Sequence, residues 1–171
     1  MKKLISLLLA SLYTASSYAG ELNTTVYATG PGSKPLGEIK FTDTPYGLLI
    51  TPNLSGLPAG IHGFHLHQHA NCGDSGMSAG GHYDPNNTKK HLGPYAAGHL
   101  GDLPALFTTQ DGKANLPLLA PRLKTNDLPG LAVMIHAGGD NYSDNPPLGG
   151  GGARIGCGII NSASNKKAAQ S

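Results

Sequence analysis

Apolar and polar positions alternate along this chain in short runs, and no stretch carries a convincing helical period of 3.6. Residues 37–42 (GEIKFT) set Ile39 and Phe41 against Glu38 and Lys40, the period of two of a half-buried strand. Residues 47–51 (GLLIT) predict a second strand, with Pro45-Tyr46-Gly47 as the turn before it. Residues 52–60 (PNLSGLPAG) punctuate the chain, and residues 61–67 read as a third strand. Residues 103–109 and 114–120 flank Gln110-Asp111-Gly112, a hairpin-like turn signal. Residues 131–135 fit a buried strand, and residues 154–160 a last one before a small, polar, frayed tail. Short strands in this number, with no helix, predict an all-β fold: an antiparallel sandwich or barrel.

Two segments break the pattern. Residues 70–102 and 137–152 have little periodicity, and structureless loops of such length in a small domain are usually functional or disordered. Composition agrees with many turns: 25 glycines, 13 prolines and 13% charged residues in 171, against a common charged share of about 25%. That mix excludes a coiled coil or helical bundle, and the hydrophobic 39% excludes an intrinsically disordered chain. No internal repeat is present, and the run Gly149-Gly150-Gly151-Gly152 lacks the strand–GxGxxG–helix setting of a nucleotide site. It reads instead as backbone that permits a close contact.

The N-terminus is a segment apart. Lys2 and Lys3 precede the apolar run 4–13, followed by Ser17-Tyr18-Ala19, which is the basic, greasy and small-x-small order of a secretory signal. The apolar run is half of the roughly 20 residues a membrane span needs. Residues 1–19 are therefore expected to be an export signal, and residues 20–171 a single exported domain. Without Lys2 and Lys3, ten basic residues face ten acidic ones. The formal net charge of +2 thus belongs to the signal, and no basic stripe indicates a nucleic-acid partner. In an oxidising compartment the two cysteines, Cys72 and Cys157, are expected as a disulfide, the alternative being two buried thiols.

All eight histidines lie between positions 62 and 136. In Phe64-His65-Leu66-His67 a strand puts both imidazoles on one face and Phe64 and Leu66 on the other. His82, His91, His99 and Asp102 follow in the first long loop, and His136 ends the strand over 131–135. Any one of these is more often a satisfied polar residue than a ligand. A His-x-His pair followed by three more histidines and an aspartate is hard to explain as solvated surface. Imidazole with carboxylate suits copper or zinc, and the donors suffice for two ions. No Cys-x-x-Cys supports a cysteine zinc site and no CxxCH supports haem.

The runs GFHLH (63–67), AGGHYDP (79–85), GHLGDL (98–103), IHAGGD (135–140) and RIGCG (154–158) resemble the copper,zinc superoxide dismutases, in the family order. HLGDLPAL, APRLK and GGDNYSDNPPLGGGGAR are most similar to the bacterial periplasmic branch. The resemblance spans about residues 22–160. It implies a Greek-key β-sandwich/barrel, an architecture for which that family is itself a standard example, with two long functional loops. It implies copper on His65, His67, His82 and His136, and zinc on His82, His91, His99 and Asp102, with His82 shared. Asp140 matches the carboxylate that hydrogen-bonds ligands of both metals, Arg154 the cation over the copper, and Cys72–Cys157 the disulfide tying the metal loop to the last strand. The spacing from His82 to His91 suits the bacterial branch. The implied reaction turns superoxide into dioxygen and hydrogen peroxide on copper cycling between Cu(II) and Cu(I), protecting the cell envelope. His62 has the opposite strand parity and reads as structural, and His69 as a surface or outer residue. A homodimer is left open. The rivals are a non-catalytic copper/zinc buffer, which would lack a ligand or the arginine, and an adhesive sandwich domain, which would not need the histidines.

Overall fold

The computed structural model describes residues 20–162, so the export signal expected over 1–19 and most of the polar tail lie outside the described residues. Nine strands form: β1 (Glu21–Ala28), β2 (Pro35–Thr44), β3 (Gly47–Leu54), β4 (Gly60–His62), β5 (Phe64–His67), β6 (Leu106–Thr108), β7 (Leu118–Ala120), β8 (Ala132–His136) and β9 (Arg154–Ile159). Every pairing between them is antiparallel. One curled sheet has the order β5-β8-β9-β1-β2-β3-β7, and β4 pairs with β6 separately. The sequence β9-β1-β2-β3 within it is a Greek-key arrangement, with the last strand returning beside the first. Alternation places Ile39 and Phe41 of β2 and Leu48 and Ile50 of β3 in a core shared with Phe64, Leu66, Leu103, Leu106 and Ile135. Among the described residues no helix is long and apolar enough to cross a membrane.

Three local expectations need correction. β1 is a strand the apolar pattern does not single out, because Thr24 holds an inward position between Leu22 and Val26. Its hydroxyl donates to the Ile159 carbonyl at 2.6 Å, so a polar side chain is satisfied inside the sheet. The strand over 61–67 is two strands, parted at Gly63. There the chain leaves β6 for β8, with the Gly63 amide donating to Gly138 and its carbonyl accepting from His136. The turn at residues 109–113 closes through two 2.9 Å backbone bonds, but the segments around it do not form a hairpin. β6 pairs with β4 and β7 with β3, because burying Leu106 and Ala120 sends them to different partners.

The long loops are built onto β5 and β9. From Gln68 to Ala105 the chain has only a single 3-10 turn, Met77–Ala79, and the isolated bridges His67↔His82 and His65↔Asp102. Amides of Tyr83 and Leu66, at 2.8 Å to Leu66 and Gly101 carbonyls, lay this loop along β5. Both faces of β5 are thereby covered: Phe64 and Leu66 by the core, His65 and His67 by the loop. Cys72 and Cys157 are disulfide-bonded with Cα atoms 5.8 Å apart across 85 residues. On a chain-entropy argument the closure contributes about 4 kcal/mol.

Core packing sets the stability on which the loops stand. Phe41→Ala removes a fully buried ring and is expected to cost about 3–5 kcal/mol, read by urea unfolding of the metal-free protein. A loss below about 1 kcal/mol, the scale of a surface change, would contradict this account of the core.

Candidate metal centre

Six buried imidazoles, His65, His67, His82, His91, His99 and His136, converge where β5, β8 and the first long loop meet. Their spacing is tight: the rings of His65 and His82 stack at 3.9 Å, and His67 and His82 meet edge-on at 5.0 Å. One donor atom from each of His65, His67, His82 and His136 lies within 4.8 Å of the others, and the same is true of His65, His82, His91 and Asp102. His99 adjoins this second group, its Nδ1 3.4 Å from Asp102 Oδ1.

Four of the six rings are oriented by a bond on one side. His65 Nε2 donates to Asp140 Oδ2 at 2.7 Å, and His67 Nδ1 to the Gly80 carbonyl at 2.9 Å. His82 Nδ1 donates to Asp102 Oδ1 at 3.0 Å, and His136 Nδ1 to the Gly152 carbonyl at 3.2 Å. The opposite nitrogens, His65 Nδ1 and Nε2 of His67, His82 and His136, are buried with no hydrogen-bond partner. Buried polar atoms are almost always paired, so four unpartnered nitrogens on one grouping fit a bound cation. His91 is held on both sides, by Asp102 Oδ1 at 3.0 Å and Asp140 Oδ1 at 2.7 Å. Asp102 Oδ2 also accepts the Leu92 and Gly93 amides. Asp140 therefore touches His65 and His91 at once.

Burial governs the protonation states. Loss of solvation lowers His65 to about 3, His67 to about 2 and His136 to about 4, and lowers His82 as well. Nearby positive charge assists: His82 acts on His65, and Arg154 on His67 and His136. Neutral imidazole is the form that ligates a metal. Burial would also depress His91, but its bonds to Asp102 and Asp140 prevail and raise it to about 9. Burial would raise Asp102 and Asp140, yet hydrogen bonds from His82 and His91 to the one, and His65 and His91 to the other, hold both well below the usual carboxylate range.

The glycine run over 149–152 is the close contact its composition predicts. A Cβ on Gly149 would fall 2.0 Å from Asp140 Oδ1 and 2.8 Å from His91 Nε2, and its φ of +73° disfavours any L side chain. Arg154, half-buried at the start of β9, donates to the carbonyls of Gly76 and Gly80 at 2.6 and 2.7 Å. Among the described residues it makes no ion pair, so the structural salt bridge that rivals an anion-binding role is absent there. His62 is buried apart, its nitrogens 2.8 Å from the His136 and Pro58 carbonyls, and His69 is exposed. Two supporting residues escape a reading of the sequence. Asp144 accepts the His91 amide at 3.0 Å, and the Tyr142 hydroxyl accepts the Ala105 amide at 2.9 Å. Both sit in the second long loop, in the polar run GGDNYSDN, where composition does not single them out from their neighbours.

Fold and site together define a β-barrel metalloprotein with two adjoining nitrogen-rich niches beside an anchored arginine. Residues 36–160 match the family model described as copper/zinc superoxide dismutase (SODC). A Superoxide dismutase [Cu-Zn] of Legionella pneumophila is 60% identical over 149 residues, covering 87% of this chain and 92% of its own. One from Actinobacillus pleuropneumoniae is 51% identical over 140 residues, 75% of this chain and 74% of its own. The solved Cu/Zn superoxide dismutase from Brucella abortus superposes with a TM-score of 0.79 at 42% identity, over 83% of this chain and all of its own. The monomeric enzyme from Salmonella enterica gives 0.72 at 45%, with the same coverage. The chain belongs to the copper/zinc superoxide dismutase family, and it is an enzyme of that activity with copper and zinc as its metals.

Linkage gives the metal-stripped chain a definite pH profile. His65, His67, His82 and His136 sit below their ordinary 6.5, so the unfolded chain binds protons that the folded chain refuses. Stability therefore falls as pH drops below 6.5, and Asp102 and Asp140 add to the fall at lower pH. His91 has the opposite sign: its contribution is complete below 6.5 and is lost as pH rises through about 9. Melting temperatures of metal-stripped protein should peak near pH 6.5. A steady rise toward pH 4 would contradict the burial argument.

Proposed function

We infer that copper is held by His65, His67, His82 and His136, and zinc by His82, His91, His99 and Asp102, with His82 bridging the two. The observation that carries this is the set of unpartnered nitrogens on four rings whose other nitrogens are engaged by protein. For the second ion, Asp102 Oδ1 stands 3.0, 3.0 and 3.4 Å from the Nδ1 atoms of His82, His91 and His99. Three nitrogens and one carboxylate oxygen are a tetrahedral zinc set. His65 is as near to that group by distance, but its free Nδ1 is the atom already given to copper and its Nε2 bonds Asp140 at 2.7 Å. His99 Nδ1 is buried and without a hydrogen-bond partner, so we assign the fourth place to His99.

When bound, copper supplies a one-electron couple between Cu(II) and Cu(I), and zinc, without accessible redox change, supplies charge. The net reaction takes two superoxide anions and two protons to dioxygen and hydrogen peroxide. Arg154 receives the anion. Two of its donors are spent on Gly76 and Gly80, which fixes the guanidinium and leaves the rest of the fork for oxygen. The Gly80 carbonyl also accepts from His67 Nδ1, so arginine and metal ligand share one anchor. His82 would be held by both ions when they are bound, and its Nε2, whenever free of copper, would hold the proton that passes to peroxide; without metals its Nδ1 donates to Asp102 at 3.0 Å. Asp140 keeps His65 and His91 in register, the support that metal-binding imidazoles generally require.

The domain reading belongs to the same proposal. Residues 1–19 are an export signal and residues 20–171 a mature domain that works in the periplasm, protecting the envelope from superoxide. The basic start, short apolar run and Ser17-Tyr18-Ala19 support export, and the Cys72–Cys157 disulfide supports an oxidising compartment.

Metal-loaded protein is expected to suppress cytochrome c reduction by a xanthine oxidase superoxide source; no suppression would sink the catalytic reading and favour a metal buffer. Arg154→Ala should keep both metals and slow the reaction about 10-fold at low salt, with the deficit shrinking as salt rises. Superoxide dismutases are themselves a reference case for that magnitude. Equal rates at low ionic strength would remove the steering role. In elemental analysis His136→Ala should lose copper preferentially and Asp102→Ala should lose zinc first. The reverse pattern would overturn the division of the site.

A further inference from the structure

Among the six clustered imidazoles, His99 alone has no hydrogen bond to its ring among the described residues. Its aim depends on its main chain. That main chain belongs to a segment whose neck is closed by the His99 amide donating to Lys90 at 2.8 Å, and whose tip, Tyr95 to Ala97, is exposed. The base of the segment faces one side chain. Arg122 donates through one guanidinium nitrogen to the carbonyls of Ala96 and, at 3.3 Å, His99, and through the other to Gly98 at 2.8 Å. No other group among the described residues donates to the Ala96 and Gly98 carbonyls.

Arg122 stands on a rigid footing. It follows Ala120, which pairs with Leu48 of β3, and precedes Leu123, which is buried in the core. Lys124 Nζ donates to the Thr44 carbonyl at 2.6 Å, and Thr125 bonds Asp43 twice at 2.8 Å. The arginine therefore reaches from the barrel wall, 23 to 26 residues along the chain, into an irregular loop. It is the central residue of APRLK, a run to which the dismutation itself gives no task.

We propose that Arg122 is the positioning residue of the zinc half of the centre, setting the direction of the His99 imidazole by capping three carbonyls of the segment that carries it. The proposal rests on the reading of His99 as a zinc ligand. A guanidinium is charged at every working pH and presents donors in a fixed planar fork, so it can bind several carbonyls at once. An ammonium is a compact point charge and cannot reproduce that span.

The test uses mature Arg122→Met, Arg122→Lys and His99→Ala proteins. Zinc affinity is read by competition with a chromophoric chelator, geometry by the visible spectrum of cobalt(II) bound in place of zinc, and copper affinity on zinc-saturated protein. Arg122→Met should weaken zinc about 10–100-fold, the usual cost of removing an outer support of a metal ligand. It should also alter the cobalt spectrum and leave copper affinity and the melting of the metal-free chain near wild type. Arg122→Lys should fall between, and His99→Ala should lose more zinc affinity than either. Wild-type zinc affinity and cobalt spectrum in Arg122→Met, beside a weakened His99→Ala, would overturn the positioning role alone. Wild-type zinc affinity in His99→Ala would overturn the ligand assignment and the proposal with it. Equal loss of copper and zinc, or failure of both Arg122 variants to fold, would assign Arg122 to the barrel and not to the site.

Discussion

Packing six imidazoles into one buried volume is tolerable only if each ring stays neutral or finds a carboxylate, and the rest of this structure follows from that constraint. Two aspartates meet much of it. Asp102 accepts from His82 and His91 while two backbone amides hold its other oxygen, and Asp140 accepts from His65 and His91. Carbonyls of Gly80 and Gly152 orient two further rings. An uncompensated charge or unpaired polar atom at such depth costs several kcal/mol. Orientation by one nitrogen leaves the other directed at a common point, which is what metal ligation requires.

The fold supplies this arrangement by dividing the work. A well-packed antiparallel sheet gives β5 and β8 as rigid carriers of His65, His67 and His136. Irregular loops give the remaining donor groups, and these are held in place through ties to the barrel. The disulfide, Arg154 and Arg122 are such ties, each connecting a loop to the wall. Arg154 does double duty, because the carbonyls that immobilise its guanidinium belong to the loop pinned by Cys72. The orientation of the guanidinium and the order of the loop thus depend on the same few bonds.

Much of the site was legible because its chemistry is written in residue types. His65-Leu66-His67 on a strand, the later histidines and Asp102 announce a metal centre by composition and spacing, and the glycine run announces a close approach. Other parts were illegible for identifiable reasons. β1 was hidden by Thr24, a polar side chain whose partner, the Ile159 carbonyl, is 135 residues away. The separation of β6 from β7 was hidden because a turn signal states that the chain reverses, not which strands it then joins. Asp144 and Tyr142 were hidden because a loop rich in Asp, Asn and Ser offers many polar groups, and composition does not say which of them meets a protein amide.

By itself the sequence determined the all-β class, the positions of the two long loops, the pool of metal-binding donors and a pair of cysteines for one disulfide. These depend on local period and on side-chain chemistry, which a linear string records. Only the tertiary structure decided which nitrogen of each imidazole is engaged and which is free, that Asp140 spans both niches, and that Arg122 lies beneath His99. Those are matters of direction between residues tens of positions apart, and direction is settled by the burial and hydrogen bonding of the whole chain together.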